Sequence, residues 1–135
     1  MNSVNIEQLI TRLENYLECW KQFSQFMSAA RGKKYSPEDE NQFLEIKSVL
    51  TQELELILST MECGPIGREE VHSLIAASPS IRVISEMNDG AFRGLENQWH
   101  KLFIGWQSIL GQLKVKQQQQ VSKSGLGSWF KRKAA

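Results

Sequence analysis

Between Val4 and Ala30 the apolar residues stand at Ile6, Leu9, Leu13, Tyr16, Leu17, Trp20, Phe23, Met27 and Ala30. Their steps of three and four place them on one side of an α-helix and do not fit the two-residue period of a strand. A helix of about this length is ~40 Å long and cannot bury such a stripe by itself, so it requires helical partners of similar length. "RGKK" at Arg31–Lys34 ends the segment, with Gly32 expected at the C-terminal cap and the basic side chains beside the negative end of the helix dipole.

Two further segments can supply those partners. "SPED" opens the next helix: Ser36 is a cap, Pro37 suits the first helical position, and Glu38, Asp39 and Glu40 fall where the dipole favours negative charge. Phe43, Ile46, Leu50, Leu54, Ile57 and Met61 form its inward stripe, widened by Leu44 and Leu58, and Gly64 and Pro65 close it after Cys63. The last long helix is expected from Ala91 to about Gln117, with Phe92, Leu95, Trp99, Leu102, Phe103, Trp106, Ile109, Leu110 and Leu113 facing inward. Between them, Gly67–Ala77 is a short amphipathic piece, Ser78 and Pro79 can open another, and "NDG" at Asn88–Gly90 marks a break.

These elements predict an all-α fold: an antiparallel up-down-up bundle of three long helices, with one or two short helices between the second and the last. Short connections favour antiparallel neighbours. In that order Glu38, Asp39 and Glu40 would share an end with Lys114 and Lys116. Residues 1–118 are expected to form the bundle domain and residues 119–135 a flexible basic and aromatic tail. In helix count and length, and in carrying a tryptophan in the first helix, the pattern resembles spectrin-type repeats and small helical secretion chaperones of the flagellar-export kind. No motif carries either resemblance, and no residue role follows from it.

The hydrophobic content of 41% and charged content of 23% are those of a globular chain. No run approaches the ~20 apolar residues that cross a bilayer, and the start "MNSVNIEQLI" lacks a basic, apolar leader, so a cytoplasmic location, peripheral to a membrane at most, is expected. The net charge of +1 conceals a split: residues 1–96 hold all 15 acidic groups and sum to −6, whereas residues 97–135 hold none and sum to +7. Such polarity marks a basic arm for anionic partners.

Catalytic and metal motifs are sparse. Glu69 and His72 make one Glu-x-x-His pair, but a di-metal bundle needs a second, and Glu96 stands at the wrong interval from His100. Cys19 and Cys63 have neither CxxC nor histidine spacing. Trp99, Phe103 and Trp106 recur at the spacing of a core stripe as well as of an aromatic pocket, and the core is preferred. With no nucleophile elbow and no phosphate-cradling loop, a non-enzymatic protein without metal or cofactor is expected.

The chemistry that remains is recognition. Val49, Leu56 and Ile104 fall beside the inward stripes, giving apolar surface that the short helices or another chain must cover. In "SGLGSWFKRKAA", Leu126, Trp129, Phe130, Lys131, Arg132 and Lys133 gather on a glycine tether and form the candidate partner- or membrane-binding site. A protein pocket with an acidic rim suits them, as does an anionic membrane surface, a contact that two copies in a homodimer would strengthen. Nucleic acid is disfavoured because the acidic body repels phosphate. A helical chaperone holding a client segment in an interhelical groove, and a metal-binding or enzymatic four-helix-type bundle, are the alternatives.

Overall fold

The computed structural model describes residues 3–61 and 67–121. Among them the chain is helical: α1 (Ser3–Arg31), α2 (Pro37–Thr60), α3 (Arg68–Ala76), α4 (Ile81–Ser85) and α5 (Asp89–Val121), all packed against one another. No helix among the described residues is long and apolar enough to cross a membrane.

The stripe of α1 is the axis of the molecule. All nine of its expected inward residues from Ile6 to Ala30 are buried, with Ile10 added. Leu13, Trp20, Phe23 and Ala30 lose all contact with solvent. Aromatic rings dominate its middle. Tyr16 stands edge-on to Trp20 and Trp106, with ring centroids 6.1 and 5.3 Å apart, and Phe43 meets Phe23 at 5.1 Å. The edge-to-face pairs of Tyr16 each add ~0.5–1.5 kcal/mol beyond the area they bury. The Nε1 atoms of Trp20 and Trp106 are buried without a hydrogen-bond partner among the described residues, a cost that the surrounding ring contacts offset.

Helix directions follow from residue pairs. Arg12 meets Glu53, Tyr16 donates to the Leu50 carbonyl, and Phe26 packs on Phe43, so α2 runs antiparallel to α1. Arg31 meets Asp89, Trp99 Nε1 donates to the Trp20 carbonyl at 2.9 Å, and Lys114 meets Glu14, so α5 also runs antiparallel to α1. The last long helix is therefore parallel to α2, and the expected up-down-up order does not hold. The cause is the segment of α3 and α4. It travels back along α2, from Arg68 beside Glu55 to Ile81 beside Glu40, and returns the chain to the end where α2 began before α5 starts. Lys114 accordingly lies far from Glu38, Asp39 and Glu40, beside the first half of α1.

That return depends on side chains of α2. Both carboxylate oxygens of Glu40 accept from the first amides of α4, Ile81 at 2.7 Å and Arg82 at 3.1 Å, and the Ser80 hydroxyl accepts from Val83. A helix of 5 residues has too few internal bonds to persist alone, so this capping from α2, together with burial of Ile81 and Ile84, fixes it. Lys47 donates to the carbonyls of Ser78 and Pro79, closing the bend between α3 and α4. Burial lowers the Lys47 pKa, opposed by the nearby Glu40 carboxylate.

Other local differences have simple causes. Ser36 and Asp39 make a reciprocal capping box at the start of α2. At the end of α1 the left-handed residue is Lys33, at φ 56°, and not Gly32. Lys34 donates to Ala29 and Lys33 to Ala30, the paired bonds of a Schellman cap set one residue beyond the glycine. The cap of α4 is Ser80, while Ser78 is buried and donates to the Leu74 carbonyl. "NDG" does interrupt the chain, but it also opens α5: Asn88 Oδ1 accepts from Ala91 at 2.8 Å. From there α5 continues through the four glutamines.

Candidate functional site

Leu126, Trp129, Phe130, Lys131, Arg132 and Lys133 lie outside the described residues, as do Cys63, Gly64 and Pro65. The site that the described residues build lies elsewhere, on the outer side of the α1–α2 seam. In the first half of α1, Gln8, Asn15 and Cys19 recur on one helix face, and Val49 and Glu53 stand a turn apart on α2. Together with Glu7 they line an open groove of about 740 Å³. Tyr16, committed to the core through its burial, forms part of the floor.

The groove is apolar at one end, where Cys19 and Val49 lie, and acidic at Glu7 and at Glu53. Val49 is 40% exposed, and Cys19 is a free, half-buried thiol whose pKa is raised by burial and then by the Glu53 and Glu18 carboxylates. A thiol so disposed is a poor nucleophile at neutral pH and contributes apolar surface instead. Arg12 is the one basic lining residue, and Glu53 engages it at 2.8 Å. Glu7 forms no ion pair among the described residues. Beneath the groove, burial pushes the Tyr16 phenol far above its ordinary range, and its hydroxyl donates to Leu50 at 2.9 Å.

A smaller hollow of about 260 Å³ lies between α1 and α5, lined by Ser24, Ser28, Asn97, Trp99 and His100 among others. Trp99 stacks on Phe103 with 4.9 Å between centroids and is held by its bond to Trp20. Trp106 is wholly buried, whereas Trp99 and Phe103 cover the core from its edge. His72 and His100 are both exposed, and no group of three metal-ligating side chains occurs among the described residues.

The apolar surface noted beside the stripes stays outside. Leu56 and Ile104 are about half exposed, and Leu44, expected to widen the inward stripe of α2, is exposed as well, together with Val115. Leu44 turns outward because Phe43 takes the inward position between Phe23 and Phe26. Val49 and Leu56 are seven residues apart on α2, hence on one face. Ile104 and Val115, eleven apart, align likewise on α5.

Compared with known proteins, the chain matches no family model, no curated protein and no solved structure, so its own residues carry the functional argument.

Proposed function

We propose that this chain is a non-enzymatic, cytoplasmic adaptor or regulatory bundle that binds a protein partner through its helix faces, with Leu126, Trp129, Phe130 and the adjoining bases as a second contact. The observation that carries this reading is the aligned exposure of Val49 with Leu56 on α2 and of Ile104 with Val115 on α5. Val49 and Leu56 at i, i+7 and Ile104 and Val115 at i, i+11 each give one helix a continuous apolar strip of the kind that a partner helix recognises. The groove beside Val49 favours one alternative, a chaperone-like hold on a client segment, because a segment laid along α1 and α2 would meet apolar surface at Cys19 and Val49 and carboxylates at Glu7 and Glu53.

The test is affinity capture with the intact chain and with a Leu56→Glu/Ile104→Glu variant of unchanged thermal stability. One identified protein, retained by the intact chain and rebinding it in purified form, is expected to be lost with the variant. Equal retention by both removes the helix-face reading. Co-sedimentation with anionic vesicles that is abolished by Trp129→Ala/Lys131→Ala would place the second contact on a membrane instead.

A further inference from the structure

We infer that the groove between α1 and α2 is the docking site of the chain's own C-terminal segment, residues 122–135, which lies along it with its aromatic pair against Cys19 and Val49 and its bases toward Glu7 and Glu53. The inference rests on the groove and requires no particular external partner.

Position comes first. The pairing of Tyr16 with Trp106 and of Lys114 with Glu14 brings the end of α5 to the start of α1. The groove opens at that same end, at Glu7 and Gln8. Fourteen residues follow Val121 and span up to ~46 Å when extended. From Glu7 to Cys19 along α1 is only ~18 Å. The segment therefore reaches the whole groove without disturbing any helix.

Chemistry comes second. Residues 122–135 carry Lys123, Lys131, Arg132 and Lys133 and no acid. The groove lining holds two carboxylates against one guanidinium, and that guanidinium is already engaged by Glu53. Glu7 has no cation among the described residues, so an incoming base gains an ion pair there without breaking another. Rim pairs of this kind contribute only ~0–1 kcal/mol each and select orientation, while burial of Trp129 and Phe130 supplies most of the attraction. Tethering adds an effective concentration of roughly millimolar order, so a weak contact suffices to fill the groove.

The experiment compares the intact chain with one ending at Val121, both carrying Cys63→Ser, by the rate at which Cys19 reacts with a maleimide. The truncated chain is expected to react faster by about tenfold, as an equilibrium about ten to one in favour of the docked segment requires. Trp129→Ala/Phe130→Ala in the full chain should do the same, and a synthetic peptide of residues 122–135 should slow the truncated chain again. Hydrogen exchange at Thr11–Cys19, which needs no cysteine substitution, should follow the same pattern. Equal rates in intact and truncated chains overturn the assignment. Protection that grows with protein concentration also overturns it, because the groove would then hold the segment of a second copy.

Discussion

At the end where α1 finishes and α2 begins, side chains from several helices tie backbone groups together; at the opposite end the same long helices meet through aliphatic contacts and exposed ion pairs. The first end has the Ser36–Asp39 capping box, Glu40 on the amides of α4, Lys47 on the carbonyls of Ser78 and Pro79, and Tyr35 near Ser85 at 3.3 Å. Arg31 both meets Asp89 and lies over the Phe92 ring at 5.0 Å. The second end has Arg12–Glu53, Arg68–Glu55 and Lys114–Glu14, all at the surface. Bonds that satisfy otherwise orphaned backbone groups contribute more than solvated ion pairs, so the first end is a brace. The second end carries the groove, on the α1–α2 seam.

This contrast can be broken by matched substitutions. Leu50→Ala in the brace, where the side chain is wholly buried, should cost about 3–5 kcal/mol, whereas Leu113→Ala at the other end, 9% exposed, should cost about 2 kcal/mol. Denaturant midpoints at constant slope measure both, and equal costs would erase the contrast. Glu40→Ala should cost about 1–2 kcal/mol by uncapping α4, against about 0–1 kcal/mol for Arg12→Ala.

Tyr16, between the two ends, gives a pH signature. Tyr16→Phe should cost about 1 kcal/mol near neutrality through its lost bond to Leu50. The unfolded phenol releases its proton near its ordinary value of 10.0 while the folded one retains it, so stability falls as pH rises above that value. The Phe variant should show a shallower decline there in chemical denaturation at stepped pH. The smallest effects are gains. Lys33→Gly relieves a left-handed side chain, and Gly111→Ala fills open space in a helix interior, where a Cβ meets nothing within 4 Å. Each should raise stability by about 0.5–1 kcal/mol in thermal melts, and a loss would show that the site is constrained by something other than backbone conformation.

How much of this was legible in the sequence differs by element. The stripe of α1 could be read in all but Ile10, because a helix surrounded by others on most sides must be apolar at every inward step. Phe43, Leu50, Leu54 and Ile57 of α2 were equally plain, yet Leu44 was not, since a neighbouring pair of apolar residues does not reveal which one the ring of Phe23 will meet. The direction of α5 was hidden because it depends on α4, and α4 depends on two carboxylate oxygens of Glu40 from another helix. Glu40 read as a dipole partner in the first turn of α2, a role that any acid there satisfies. The groove, too, left only a faint signal: Val49 beside the stripe marked apolar surface, but Glu7 and Cys19 join it only once α1 and α2 are side by side.

Native-state hydrogen exchange tests the difference between the two ends most directly. Amides of Trp20–Arg31 and Phe43–Leu50 should exchange only on global unfolding, while those of α1 before Leu13 and of α5 beyond Ile109 should exchange through openings about 1–3 kcal/mol less costly. If instead both ends exchange with one common free energy, or the brace opens first, the division into a braced end and a binding end is wrong.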